Sequence, residues 1–313
     1  MKKTILITGG FGFLGGRLAQ YLSENYNVIL GSRSDQNKPN WLPIAKTLKI
    51  DWNDETSLND ACNMVDIVIH ASGLNAQESS SDPEKALLVN GLGTLKLLKS
   101  AKKNKVSKFL YFSTVHVYRS PLIGKISEEL LPRPLYPYSI THRVAEDYVI
   151  GEAYQQRLSA SVFRLTNAVG SPTTPQANCW MLVVNDFCRQ VVTSNSIKVY
   201  SNKLSQRDFI PISSVCSVVS SSLDSNVLDG EIVNLSSGAA ITLQSLAIMI
   251  ADRSEVVLGF RPRISFLGSS TEVGASELII SNSKLSNLGF KVDSNLSNEI
   301  DQLLLNCNKW FSE

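Results

Sequence analysis

Short apolar runs alternate with longer stretches of helical period over roughly the first half of the chain. The runs Thr4–Thr8, Asn27–Leu30, Thr47–Ile50, Asp66–Ala71, Lys108–Ser113 and Ser161–Leu165 read as strands. Between them, apolar residues at helical spacing predict helices over Leu14–Glu24, Thr56–Cys62, Pro83–Asn104 and Tyr138–Gln156. Strands that alternate with helices form βαβ units and a parallel sheet covered on both faces. The near-continuous apolar run Ile67-Val68-Ile69 fits burial on both sides. After Gly170 the pattern loosens, and the Pro- and Thr-rich stretch Ser171–Gln176 marks a boundary. Beyond it the sequence predicts a helix near Trp180–Val192, a strand near Ile197–Tyr200 and a helix near Thr242–Asp252. Ile232–Leu235 reads as a buried strand that returns to the first sheet. The expected fold class is α/β: a doubly wound parallel sheet with a smaller α/β lobe. The sheet domain is expected to span residues 1–166 plus about 207–237. The lobe takes about 167–206 plus 238–313.

The first strand and first helix are joined by Gly9-x-x-Gly12-x-x-Gly15. Glycines there allow a sharp turn, a close backbone approach to a pyrophosphate and tight helix–strand packing. The helix N-terminus adds free N–H groups and partial positive charge. This is the fingerprint of a Rossmann dinucleotide-binding domain, so NAD or NADP is expected. The end of the second strand bears on which. An acidic residue there would bond the 2′-hydroxyl of NAD. The chain instead reads Leu30-Gly31-Ser32-Arg33-Ser34, and Asp35 follows only in the loop. Arg33 with Ser32 suits a 2′-phosphate. The sequence leans to NADP, with NAD as the alternative and a solvated loop charge as the competing role for Arg33.

Tyr138 and His142 stand four residues apart at the start of a predicted helix, so they share a face. With Ser113 and Thr114 at the end of the fifth strand, they resemble the extended short-chain dehydrogenase/reductase family, of the sugar-nucleotide epimerase, dehydratase and reductase type. The resemblance also rests on Asp51, His70-Ala71-Ser72-Gly73, Asn90-Gly91-Leu92-Gly93-Thr94, Phe112-Ser113-Thr114-Val115-His116-Val117-Tyr118, Arg164-Leu165-Thr166-Asn167-Ala168-Val169-Gly170 and Arg207-Asp208-Phe209-Ile210. It implies that Tyr138 is the acid/base and that Thr114 hydrogen-bonds the reacting oxygen. It further implies that Asp51 meets the adenine and that Asn167 and Arg207 contact the nucleotide sugar. The cofactor-binding set it implies is Gly9, Gly12, Phe13, Leu14, Gly15, Ser32, Arg33, Asp51, Ala71, Ser72, Gly73, Asn90 and His142.

The chain departs from the family at two places. The usual Tyr-x-x-x-Lys is Tyr138-Ser139-Ile140-Thr141-His142 here. A phenol, with a reference pKa of about 10, needs a nearby cation to act as a base. Histidine is shorter than lysine and mostly neutral near pH 7. His142 is expected either to take over the ribose contact, where phosphates could keep it cationic, or to bias the site towards reduction, or to leave a site that binds without turnover. Second, the Asp-Glu pair that dehydratases carry after the threonine is Val115-His116, which argues against water elimination. His116 shares strand parity with Thr114, so it is a candidate second acid/base, with a pocket-lining or structural role as the alternative. His70 is read as structural. Trp180 is read as stacking on a base or as core. Arg261, with Arg263, is a candidate diphosphate ligand or a solvated surface charge.

Composition then narrows the partners. With 313 residues and a net charge of +2, the chain is ordinary in charge and argues against nucleic acid or an anionic membrane as partner. Five cysteines without C-x-x-C spacing fit reduced, buried thiols rather than disulfides, and no metal site is expected. Glycines interrupt the first apolar run before a signal peptide or membrane span could form, so a cytoplasmic protein is expected. The expected activity is NADP(H)-dependent reduction of a keto-sugar nucleotide. A nucleotide-sugar epimerase and a cofactor-binding regulatory protein are the alternatives. The helices around Pro83–Asn104 and Tyr138–Gln156 resemble those that pair across the family's homodimer.

Overall fold

The computed structural model describes residues 2–268 and 277–312. Its strands are β1 (Thr4–Thr8), β2 (Asn27–Ser32), β3 (Lys46–Lys49), β4 (Ile67–His70), β5 (Lys108–Thr114), β6 (Gly124–Ile126), β7 (Ser159–Leu165), β8 (Asn167–Val169), β9 (Ser196–Val199), β10 (Gln206–Pro211), β11 (Ile232–Leu235), β12 (Ala240–Thr242), β13 (Arg263–Phe266) and β14 (Leu278–Ile280). Its helices are α1 (Phe13–Leu22), α2 (Glu55–Cys62), α3 (Ala76–Ser81), α4 (Pro83–Ala86), α5 (Gly93–Lys103), α6 (Pro137–Tyr154), α7 (Val183–Ser194), α8 (Ile212–Leu223), α9 (Leu243–Leu258), α10 (Ser283–Asn287) and α11 (Ser297–Phe311).

The central sheet runs β3-β2-β1-β4-β5-β7-β11, with every neighbouring pair parallel. The order reverses at β1, where successive crossovers go to opposite sides. That is where an open α/β sheet leaves a crevice. Register lines the crevice up: Thr8 of β1 pairs with Gly31 of β2 on one side and His70 of β4 on the other. The returning strand expected at Ile232–Leu235 is β11, paired with β7.

Apolar residues leave both faces of the sheet and form two cores. One contains Ile5, Ile7, Leu18 and Val215, and the other Leu6, Val68, Leu97 and Val149. A third core joins α7, α9, α11 and β9 around Phe187, Leu246, Ile250 and Leu303. Leu285 and Phe290 lie within the stretch that the sequence assigns to the smaller lobe, yet they pack into the first of the sheet cores.

Among the differences from the expected pattern, three bear on the sheet or the site. The helix expected over Pro83–Asn104 is interrupted by a π-helical turn at Leu87–Leu92. Gly91 lets that turn press on α6: a Cβ there would lie 3.3 Å from Val144 Cγ1. β5 stops at Thr114, whose hydroxyl caps a 3-10 turn over Val115–Val117 by accepting the His116 N–H at 3.2 Å. Strand parity therefore does not govern His116. Finally, α8 was not apparent from the sequence pattern. Its serines and valines are indifferent helix formers, and burial of Val215, Val218 and Val219 against the sheet decides its state.

Candidate functional site

Gly9 closes the turn after β1 with φ +69°, a left-handed conformation that favours glycine. Its carbonyl accepts the Gly12 N–H at 2.8 Å. Gly15 packs so tightly on this turn that a Cβ would come within 3.0 Å of the Gly9 carbonyl group. α1 begins at Phe13 with no side-chain cap and no acidic residue in its first turn, so its amides stay open to an anion. The groove in front of them is lined by Gly9, Gly12, Ser32, Arg33, Ala71, Ser72 and Gly73, all expected from the sequence. Phe11, Trp52, Asn75, Glu78 and Asn178 also line it and were not foreseen. Trp52 and Asn75 sit beside motif residues in sequence, but side-chain direction in a loop is not periodic. An open helix N-terminus, a glycine cradle that a Cβ would fill and a groove along the strand ends together fit a dinucleotide.

Within the described residues, no ion pair is formed by Arg33. The loop carboxylate of Asp35 is instead paired with Lys49 at 2.9 Å. Asp51 is exposed, accepts the Asn53 N–H and is not part of the lining, although Ile50 and Trp52 on either side are.

Asn90 is displaced from its expected role. Its side-chain oxygen accepts the Leu74 N–H at 2.8 Å, and its Nδ2 donates to Thr141 at 3.0 Å. Both polar ends are used inside the protein, so Asn90 braces the 71–75 loop against α6 from behind the groove. His70 is structural, as the sequence suggests: Nδ1 lies 2.7 Å from the Thr8 hydroxyl and Nε2 3.0 Å from Thr94. Burial, then the His142 ring, pulls its pKa down to about 3.

A second pocket continues beyond the end of β5. It is lined by Phe13, Leu14, Thr114, His116, Tyr138, Asn167 and Arg207. Phe13 and Leu14 thus face this pocket rather than the first groove. Asn75 and Asn178 line both spaces. Tyr138 occupies the first turn of α6, behind Pro137. Burial pushes its phenol up to about 12, opposed in part by the Thr114 hydroxyl. No cation is among the causes of the shift, so Tyr138 is protonated near neutral pH.

Arg207 forms no ion pair with the described carboxylates, and burial lowers its pKa. Its neighbour Asp208 cannot serve it, because it accepts bonds from Thr166, Ser237 and Gly238. A half-buried cation that faces a pocket and has no ion-pair partner among the described carboxylates has the chemistry to bind an anion. Asn167 donates to the Asp208 carbonyl at 2.7 Å. His116 lines the pocket with its Nδ1 buried and unpartnered, and burial, then Arg207, lowers its pKa.

Burial pulls the His142 pKa down to about 4, and no protein charge is among the causes of the shift. Its Nδ1 lies 2.7 Å from the Tyr111 hydroxyl, and its ring meets Tyr138 edge-on at 4.5 Å. Arg261 corrects one expectation. It pairs with Asp252 and Glu255 and lies with Ser194, Asn195 and Arg263, outside the lining of either space. Sequence position could not separate a ligand from a solvated pair there. Trp180 packs on Trp310 and Phe311 and donates to the Pro175 carbonyl, so it belongs to the lobe's packing. The five cysteines are buried and free. None of the described helices is long and apolar enough to cross a membrane, and the described residues hold no cluster of metal-ligating side chains.

The model of the NAD dependent epimerase/dehydratase family matches residues 5–236, and the chain belongs to that family. It is similar to a Methanocaldococcus jannaschii protein provisionally named UDP-glucose 4-epimerase, with 26% identity over 96% of this chain and 97% of that one. It is also similar to the GDP-6-deoxy-D-mannose reductase of Pseudomonas aeruginosa, with 28% identity over 82% of each chain. Among solved structures, RMD from Pseudomonas aeruginosa complexed with NADPH superposes with a TM-score of 0.79 at 24% identity, over 98% of this chain and 100% of that one.

Proposed function

We propose that the protein is an NADP(H)-dependent oxidoreductase that reduces a keto-sugar nucleotide. The observation that carries this reading is the buried, protonated Tyr138 beside Thr114, facing a pocket that also holds the unpaired Arg207. When bound in the first groove, a reduced nicotinamide supplies the hydride. Tyr138 donates its proton to the carbonyl oxygen as that oxygen becomes an alcohol, and the Thr114 hydroxyl holds the same oxygen. A phenol held at about 12 carries its proton near neutral pH, which is the protonation state that reduction starts from and oxidation does not. Arg207 and Asn167 suit the diphosphate and nucleotide of the substrate.

The experiment is to mix the purified protein and NADPH with a panel of 4-keto sugar nucleotides. One NADPH consumed per sugar reduced supports the reading. Protein that carries bound NAD and interconverts sugars without consuming cofactor would establish the epimerase alternative, which the similarity to the M. jannaschii protein keeps in view. NADPH binding with no turnover across the panel would sink both.

Arg33, unpaired at the end of β2, supports NADP as the cofactor. Arg33→Ala is expected to raise the NADPH dissociation constant about 10–100-fold, as loss of a charge-assisted hydrogen bond implies. NADH binding should stay unchanged. Titration of both cofactors by fluorescence checks this, and equal losses for the two would refute it.

We also infer a homodimer. Leu87, Leu88 and Leu92 on the π-helical turn are exposed, as are Ile140 and Tyr148 on α6. Ile140, Val144 and Tyr148 share one stripe of α6, and the turn packs beside that stripe, since a Cβ on Gly91 would lie 3.3 Å from Val144 Cγ1. Leu88→Glu is expected to convert a two-chain species to single chains in sedimentation; a wild type that sediments as one chain overturns the inference.

A further inference from the structure

The position where the family carries a lysine holds a histidine that burial keeps uncharged, so its role turns on which ring nitrogen bears the hydrogen. We propose that Tyr111 is a positioning residue that fixes His142 in the neutral Nε2–H tautomer, so that the imidazole presents an N–H donor to the cofactor groove in place of an ammonium. The inference rests on the reading that this groove holds a nicotinamide cofactor.

The argument is one of donors and acceptors. Tyr111 is buried on β5, with its hydroxyl 2.7 Å from His142 Nδ1 and the two rings stacked 5.9 Å apart. A buried phenol keeps its proton, and burial, then Glu146, raises the Tyr111 pKa well above its usual value. Such an O–H needs an acceptor. In a neutral imidazole one nitrogen accepts and the other donates. The Thr94 hydroxyl also bears on this phenol, but among the described residues His142 Nδ1, at 2.7 Å, is the partner that meets the Tyr111 hydroxyl in hydrogen-bond geometry, so Nδ1 accepts and Nε2 carries the hydrogen.

The neighbouring hydrogen bonds are consistent with this. The Thr94 hydroxyl gives its hydrogen to the Asn90 carbonyl at 2.6 Å. It therefore accepts from His70 Nε2, and His70 Nδ1 accepts from Thr8. Both histidines behind the groove are then Nε2–H donors with Nδ1 satisfied by a hydroxyl.

Geometry gives the donor its direction. A Cβ on Gly73, a residue of the groove lining, would lie 3.9 Å from His142 Cε1, which is bonded to both ring nitrogens; Nδ1 is taken by Tyr111, while Nε2 has no hydrogen-bond partner among the described residues and is not among the buried unpartnered atoms. His142 is not itself part of the groove lining, but its Cε1 edge lies next to Gly73, with Nδ1 held by Tyr111 and Nε2 left open. A lysine needs no such support, since its ammonium donates in three directions. A histidine has one donor to offer, and the wrong tautomer would turn an acceptor towards the ribose hydroxyls.

The chain has three histidines, so histidine nitrogens are readily assigned by NMR on selectively labelled protein. In the free wild type, His142 should be neutral near pH 7 with the hydrogen on Nε2. Tyr111→Phe should mix its tautomers. It should also raise the NADPH dissociation constant about 3–10-fold, the loss of one neutral hydrogen bond. A cationic His142, an Nδ1–H tautomer in the wild type, a tautomer indifferent to Tyr111→Phe, or unchanged NADPH binding in that variant would each overturn the proposal. The wild-type spectrum needs no variant to fold. It is read on free protein, so it stands whether or not any sugar nucleotide is turned over.

Discussion

Tyr138→Phe is expected to lower the rate of keto-sugar reduction by about 10²–10⁴-fold, the usual worth of a positioned proton donor. NADPH binding should survive, because the glycine turn, α1 and Arg33 are untouched. The ring stays, so its edge-on contact with His142 is kept and the fold should hold. In the wild type, the reduction rate should be nearly flat between about pH 6 and 9. His142, at about 4, is already neutral there, and Tyr138, at about 12, is still protonated. The reverse oxidation needs the phenolate and should climb with pH throughout that range. Stopped-flow measurement of cofactor oxidation and reduction reads all of these. Near-normal reduction by the Phe variant would remove Tyr138 from the chemistry.

Arg164→Met is expected to destabilise the protein by about 3–5 kcal/mol, the cost of breaking a buried ion pair from one side. Arg164 on β7 and Glu146 on α6 are both buried and form two hydrogen bonds, of 3.0 and 2.7 Å. Burial alone would lower the arginine's pKa, and the Glu146 carboxylate more than offsets it. The guanidinium also stacks 4.6 Å over Tyr118, whose hydroxyl reaches Asn234 of β11. Methionine fills part of the volume but strands the carboxylate, since Arg143 reaches it only at 3.3 Å from a more exposed position. Adding Glu146→Gln should recover part of the loss. Denaturant unfolding of the single and double variants checks this, and a single variant within 1 kcal/mol of wild type would mean that the pair does not hold α6 to the sheet. The same helix carries Tyr138 and His142, so the pair also bears on the site.

Much of the molecule was legible because its signals are local. Alternating apolar runs marked the strands of the central sheet. The strand–glycine–helix order marked the groove, since Gly9 and Gly15 answer to backbone geometry within a few residues. Thr114, His116, Tyr138, Asn167 and Arg207, scattered over about 95 positions, do line one pocket. Composition hid α8, whose serines and valines become helical only through burial. Asn90 and Arg261 were misjudged for one reason: a polar residue's role depends on which partner reaches it first. For Asn90 that partner is Thr141, and for Arg261 it is Asp252.

The sequence by itself determined that a dinucleotide turn opens the chain, that an arginine rather than a carboxylate follows β2, and that histidine stands where lysine is usual. These are statements about residue type and near-neighbour spacing, which need no third dimension. Only the tertiary structure decided what that histidine is. Tyr111 lies 31 positions from His142 in sequence and 2.7 Å away in space. Desolvation in the folded protein lowers the imidazole's pKa, and the Tyr111 hydroxyl supplies the partner for its Nδ1. Burial and hydrogen-bond direction are sums over residues far apart in the chain, so only the folded protein sets them.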